Sequence, residues 1–240
     1  MKIKTDGQIK TNTPIKIKYL GIQDYKTTLG CMRAWIESQA TEIQNRHTGK
    51  LESISTHDSN INSDEEIWIV QHPSVYTEGQ SNRSVTATKI KGMPLIQSDR
   101  GGKITYHGPG QVIAYLMLNL KQRKWHAQTL VYKTEQALLS LLEQFEIPGH
   151  LIKGAPGVYV NQQKIASLGF RIRKGFSYHG LSLNVAMDLR PFNYITPCGQ
   201  KSIIMTDMQH ILPDHMTLDF SLEKVAHKLT ETLKHQLNDW

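Results

Sequence analysis

The chain has 240 residues, 39% hydrophobic and 20% charged, with 28 Lys and Arg against 21 Asp and Glu for a formal charge of +7. That length buries a real core, as one large α+β domain or two small ones. Two cysteines, Cys31 and Cys198, exclude a disulfide framework, and Met1 to Lys18 holds no apolar run fit for a signal peptide or membrane span, so a soluble, cytoplasmic protein is expected.

Ile15 to Leu20 alternates apolar and basic residues and reads as a first strand. Tyr25, Leu29, Met32, Ile36, Ala40 and Ile43 follow at helical spacing, which predicts a helix ending near Arg46 with Cys31 packed inside it. Residues 1–14 are expected to form a flexible N-terminus, and 47–65, polar and without periodicity, a mobile surface loop. The continuous apolar run Ile67 to Val70 predicts a strand buried on both faces, and Thr77 to Lys91 a loop. Strands are predicted at Pro94–Ile96, Lys103–Tyr106 and Gln111–Leu120, the last two joined at Gly108-Pro109-Gly110. A helix is predicted from Ala127 to Glu146, ended by Pro148-Gly149. Gly157–Asn161, Lys164–Arg173 and Phe176–Val185 read as an antiparallel meander, and a last helix is capped by Ser221. The fold class is therefore α+β, with a mixed, largely antiparallel sheet packed with helices rather than a doubly wound one, in a single domain over 1–240.

Three stretches carry chemistry. In Arg100-Gly101-Gly102-Lys103-Ile104-Thr105-Tyr106-His107-Gly108, paired glycines let backbone approach a ligand, and a histidine beside a glycine is open to it. Read blandly, the same residues are a bulge and a turn. Lys164 opens the apolar run Ile165-Ala166-Ser167-Leu168-Gly169, where an amine taken out of water is a usable base and the small residues leave room for an acyl chain. A lone lysine at a hairpin start is more often simply solvated. Tyr178-His179-Gly180-Leu181-Ser182 echoes Tyr106-His107-Gly108, so both histidines are placed to line one cavity. Cys198, in Thr196-Pro197-Cys198-Gly199, is the one candidate nucleophile, although a lone cysteine is more often packed than catalytic. Neither a metal-ligand spacing nor a Walker loop is present, so no metal and no nucleotide cofactor is expected. The positive charge suits an acidic partner. No Lys/Arg run exceeds two residues and no zinc-finger or RNP pattern occurs, which argues against nucleic acid.

Taken in order, Arg100 to Gln111, Gly154 to Gly169, Tyr178 to Val185 and Pro197-Cys198-Gly199, with His72-Pro73-Ser74-Val75-Tyr76-Thr77 ahead of them, resemble the lipoyl(octanoyl) transferases. Any one of these motifs is weak, but five in register are specific. The resemblance implies a biotin/lipoate protein ligase-like fold and transfer of an octanoyl group from acyl carrier protein to a lysine of a lipoyl domain, an early step of protein lipoylation. It implies an acyl-thioester on Cys198 with Lys164 as its activator, and substrate binding at Arg100, Gly101, Gly102, Lys103, Ile104, Thr105, Tyr106 and His107, at Ser167, Leu168 and Gly169, and at Gly180, Leu181 and Ser182. The implied partners are octanoyl-acyl carrier protein as donor and, as acceptors, lipoyl domains of 2-oxoacid dehydrogenases and the glycine cleavage H protein; a monomer needing no cofactor and no membrane is expected. Lys103 and Ile104 stand where the family often has Gln and Val, and Gln200 to Asp207 is less typical, so no role is carried onto that segment.

The oxyanion of such a transfer needs donors, for which backbone N–H groups around Lys164 or Cys198 and the side chain of His107 are candidates. Three rivals remain at this level, one of them a non-catalytic lipoyl-domain or nucleic-acid-binding module, which would tolerate Cys198→Ala without loss. An ATP-dependent lipoate or biotin-type ligase would need a Gly-rich nucleotide loop that is absent, and a cysteine hydrolase would pair Cys198 with His107 or His179 and use water as acceptor.

Overall fold

The computed structural model describes residues 15–47, 64–81, 87–196 and 203–238. Strands Lys16–Ile22 (β1) and Glu66–Gln71 (β2) pair in parallel, and helix Tyr25–His47 (α1) connects them. Asp24 caps α1 by accepting the Thr27 N–H at 2.8 Å. Tyr25, Leu29, Met32 and Ile36 turn inward onto Trp68 and Val70, as their spacing predicts. Cys31 does not: it falls between the inward Leu29 and Met32 and is exposed.

Val75–Glu78 (β3), Lys89–Ile90 (β4), Met93–Gln97 (β5) and Ile104–His107 (β6) make a four-stranded sheet in the order β4-β5-β3-β6. Thr77 and Glu78, expected in a loop, are strand residues. They are polar yet buried, because β5 in parallel and β6 in antiparallel satisfy their backbone on both sides, a long-range pairing with no local sequence signal.

Strand Gln111–Met117 (β7), short helix Leu120–Arg123 (α2), helix Ala127–Glu143 (α3) and strands His150–Ile152 (β8), Ala155–Val160 (β9), Gln163–Arg173 (β10) and Phe176–Asn184 (β11) follow. Helices Met208–Ile211 (α4) and Leu222–Asn238 (α5) complete the described chain. The larger sheet runs β1-β2-β7-β11-β10-β9-β8 and is antiparallel everywhere except β1/β2, the mixed architecture that the sequence predicts. Its hairpins close through positive φ at Asn161 and Gln162 and at Lys174 and Gly175.

One face of this sheet is covered by α3 and α5, whose Leu138, Leu141, Leu229 and Leu233 pack on Val112, Ala114 and Leu116 of β7. Ser221 caps α5 through its Oγ and the Lys224 N–H at 3.1 Å. Helix α3 stops before Glu146, the expected end: Glu146 has φ 55° and the Ile147 N–H turns back to Leu142 O at 3.0 Å. Among the described residues no helix is long and apolar enough to cross a membrane.

The expected flexible segment 1–14 lies outside the described residues, as do residues 48–63 of the expected loop. His47 belongs to α1, and Glu65 is built into the core. Its carboxylate accepts the Asn119 N–H at 2.8 Å and the Arg123 Nε–H at 2.8 Å, and Arg123 Nη1 reaches Leu237 O at 2.6 Å. This pair ties the start of β2 to the ends of β7 and α5. Glu65→Ala strands a mostly buried guanidinium and is expected to lower unfolding free energy in urea by about 3–5 kcal/mol; a loss below about 1 kcal/mol would show the pair to be dispensable.

Candidate active site

Strand alternation sets where a cavity can form. Val112, Ala114 and Leu116 face the α3/α5 core, so Ile113 and Tyr115 point to the opposite face, beneath α1 and the smaller sheet. There a cavity is lined by Tyr25, Ile113, Tyr115, Arg100, residues 102–105, His107, 167–169 and 179–182. Most of the expected substrate-binding residues therefore share one wall. Gly101 and Tyr106 do not. Gly101 N–H donates to Phe170 O at 3.0 Å and fastens the glycine loop to β10. Tyr106 alternates away from the cavity, packs on Tyr76 and Phe192, and hydrogen-bonds Ser74 Oγ at 2.9 Å. At Gly180 a Cβ would lie 2.0 Å from Ala114 O, so glycine is what lets β11 approach β7 beside the cavity.

Arg100 is aimed by Thr77 and by the backbone of its own loop. Its Nε and Nη2 donate to Thr77 Oγ1 at 3.0 and 2.8 Å, Nη2 also to Thr77 O at 2.6 Å, and Nη1 to Gly101 O at 2.9 Å. Since Thr77 Oγ1 accepts from Arg100, its own hydrogen points to His107 Nε2, 3.3 Å away. The other ring nitrogen agrees. Asn184 Nδ2 donates to Thr206 O at 2.9 Å, Gln111 Nε2 donates to Asn184 Oδ1 at 2.9 Å, and Gln111 Oε1 then accepts His107 Nδ1–H at 2.7 Å. His107 is thus neutral with its proton on Nδ1, and burial, helped by the Arg100 charge, lowers its pKa to about 3. With Nε2 an acceptor, His107 cannot donate to an oxyanion there, contrary to the expectation above.

His72 is held in the same way, its Nδ1–H on Gln23 O at 2.6 Å and its Nε2 accepting from Tyr115 OH at 2.7 Å; burial lowers its pKa. His179 enters the cavity wall with φ 59° and donates Nε2–H to Asp99 Oδ1 at 2.8 Å. Burial lowers its pKa too, against the pull of Asp99. Burial alone would raise the Asp99 carboxyl, but hydrogen bonds from His179, Tyr178 and Arg33 hold it well below the usual range.

Lys164 shares the cavity's face without lining its wall. It pairs with Tyr159, which alternates with the core residues Val158 and Val160, so both side chains point away from α3 and α5. Only 3% of Lys164 is exposed; its Nζ donates to Pro156 O at 2.8 Å and sits 5.3 Å from the centroid of the Tyr159 ring. A Cβ on Gly157, whose φ is 127°, would meet Lys164 Cε at 2.6 Å, so that glycine makes the side chain's room. The lysine is not a solvated hairpin residue.

Its backbone is bridged to the chain that follows Cys198. Lys164 N–H donates to Ile204 O at 2.8 Å and Thr206 N–H to Lys164 O at 3.0 Å. The first bond occupies the Lys164 N–H and removes it from the candidate oxyanion donors. Cys198 itself lies outside the described residues. Sequence reasoning missed Tyr25, Thr77, Asp99, Tyr115 and Ile203 to Asp207. Thr77 closed a quoted motif and Asp99 directly precedes Arg100, which was the available signal. Among the described residues no cluster of His, Cys, Asp and Glu could hold a metal ion.

Residues 50–234 match the lipoyl protein ligase A/B catalytic domain. The chain is 44% identical over 180 residues to an octanoyltransferase of Legionella pneumophila (strain Paris), covering 75% of this chain and 89% of that one. It is 40% identical over 222 residues to an octanoyltransferase of Hydrogenovibrio crunogenus, covering 90% and 97%. The chain belongs to the octanoyltransferase family. The lipoate protein ligase fold is shared with solved structures: a lipoate-protein ligase A bound with ATP (TM-score 0.62, 13% identity, 93% and 85% of the two chains covered) and the bipartite lipoate protein ligase of Thermoplasma acidophilum (TM-score 0.62, 14% identity, 94% and 84% covered).

Three buried histidines with lowered pKa values make this octanoyltransferase acid-sensitive. Each stays neutral when folded but takes a proton when unfolded below about pH 6.5, so stability is full above that pH and falls as pH drops toward the folded values, each histidine contributing up to about tenfold in the folding equilibrium per pH unit. Denaturation at pH 7 and 5 should show the steep loss, and His107→Gln should flatten it. An identical pH slope in the variant would contradict the buried neutral state.

Proposed function

We propose that this octanoyltransferase works by a two-step acyl transfer in which Cys198 thiolate attacks the thioester of octanoyl-acyl carrier protein and a lysine of a lipoyl domain then takes the octanoyl group from the cysteine. Lys164 is the base that accepts the thiol proton. The observation that carries this reading is the bridge between Lys164 and Ile204–Thr206: Cys198 stands only six residues before Ile204, a span of at most about 20 Å, while Pro156 O holds the buried amine in place. The thiolate it creates is the reactive form of a cysteine.

The cavity walled by Arg100, His107, Ser167 and Ser182 takes the acyl thioester end of the substrate. Thioester exchange is nearly balanced energetically, so neither ATP nor a metal is required. The acidic surfaces of a carrier protein and a lipoyl domain complement the chain's net charge of +7, which favours a salt-sensitive encounter. The lipoyl domains of 2-oxoacid dehydrogenases and the glycine cleavage H protein are the acceptors this chemistry fits, and the chain acts in the cytoplasm as a single-domain monomer.

Intact-mass spectrometry after mixing with octanoyl-acyl carrier protein is expected to show one octanoyl group added to the wild type and none on Cys198→Ala. No adduct on wild type, or an adduct that survives in the variant, would sink the acyl-enzyme scheme.

A further inference from the structure

Successive residues at the start of β9 build a slot around the Lys164 amine. Ala155 O accepts the Tyr159 O–H at 3.2 Å, Pro156 O accepts Lys164 Nζ–H at 2.8 Å, and the Gly157 N–H is tied to Glu135 Oε1 on α3 at 2.9 Å. Tyr159 stands directly across from Lys164 in the β9/β10 register, and across from His150 in the β8/β9 register, with the His150 ring centroid 6.3 Å from its own. The tyrosine is therefore fixed at its hydroxyl and on the side of β8. It is 2% exposed beside a lysine that is 3% exposed, and Nζ lies 5.3 Å from its ring centroid, inside the range of about 6 Å over which an aromatic face attracts a cation. Gly157, with φ 127°, keeps the slot clear: a Cβ there would stand 3.1 Å from Nζ.

We propose that Tyr159 is a positioning residue for Lys164, its ring face stabilising the ammonium that forms when Nζ takes the thiol proton of Cys198. This rests on the reading of Lys164 as the base of the thiol. The step is a proton transfer: the S–H bond breaks, its electron pair stays on sulfur as thiolate, and the proton makes the third N–H bond of Nζ. A neutral amine gives one hydrogen to Pro156 O and keeps a lone pair for the thiol. The ammonium carries three hydrogens and a full charge in a place almost closed to water. Burial disfavours that charge, and the Pro156 carbonyl and the Tyr159 π face are what β9 sets against it. An aliphatic side chain at position 159 would fill the same volume and offer the charge nothing.

Alkylation of Cys198 by iodoacetamide against pH, in the full chain carrying Cys31→Ser, reads how far the proton prefers nitrogen to sulfur. Tyr159→Phe keeps the ring and gives up only the hydroxyl, and is expected to titrate within about 0.3 pH unit of its parent. The same Tyr159→Phe change made with a fully fluorinated ring has nearly the same shape but an inverted quadrupole. It is expected to raise the apparent thiol pKa by about one unit, roughly tenfold less thiolate at neutral pH. Lys164→Met is expected to raise it at least as far. Equal titrations of the two ring variants, with Lys164→Met shifted, overturn the role of Tyr159 and leave that of Lys164. A shift in plain Tyr159→Phe as large as that of the fluorinated ring overturns it too, as does a change of rate that is the same at every pH, the mark of altered packing. An unshifted Lys164→Met overturns the reading of Lys164 and this proposal with it.

Discussion

Two backbone hydrogen bonds organise the half of the molecule around Lys164. Lys164 lends its N–H to Ile204 and its carbonyl to Thr206, so the chain returning after Cys198 is pinned to β10 beside its buried lysine. The pinning extends sideways, since Thr206 O accepts from Asn184, Asn184 from Gln111 and Gln111 from His107, reaching the cavity wall through groups whose donor and acceptor roles are settled by the Thr206 carbonyl at one end and the Arg100 guanidinium, through Thr77, at the other. Every member has its partner, the condition under which a buried polar network fixes one arrangement instead of weakening the core. Asp207, next in line, caps α4 through the His210 N–H at 3.0 Å and takes the Met187 N–H at 3.1 Å, so the returning segment is held at successive residues.

The same arrangement explains why a basic, histidine-rich cavity stays uncharged at its floor. His72 and His107 spend one nitrogen on an oxygen acceptor and the other on a hydroxyl, and burial disfavours a second proton on either. Positive charge stands in the wall at Arg100 and Lys103, while the small residues Ser167, Gly169 and Gly180 keep the space between β6, β10 and β11 open. An acyl thioester, neutral and largely apolar, suits such a space better than a phosphate would.

Much of this was legible in the sequence because it depends on local rules. Helices α1, α3 and α5 follow from apolar spacing and the β9-β10-β11 meander from its turn residues, whereas the stretches Arg100 to His107, Ser167 to Gly169 and Gly180 to Ser182, most of whose residues line the cavity, came from the family resemblance. What escaped depends on tertiary pairing. Thr77 looked like a loop residue because its strand is made by β5 and β6, which arrive from further along the chain. Asp99 acquires meaning only when β11 brings His179 to it, and Ile203 to Asp207 only when β10 takes them as a neighbour. Cys31 failed for a simpler reason: an apolar stripe marks the inner face of a helix but not the residues that fall between its members. Gly101 and Tyr106 were carried over as part of a contiguous motif, whereas a strand shows a ligand only every second residue.

The central claim, that the bridge at Lys164 brings amine and thiol into one catalytic unit, is tested most directly by titrating the thiol. Alkylation of Cys198 by iodoacetamide, followed against pH in a Cys31→Ser background because Cys31 is exposed, reports the apparent pKa of the sulfur. The account predicts a value well below the roughly 8.5 of a free thiol, rising toward it in Lys164→Met. The same apparent pKa with and without the lysine would contradict it.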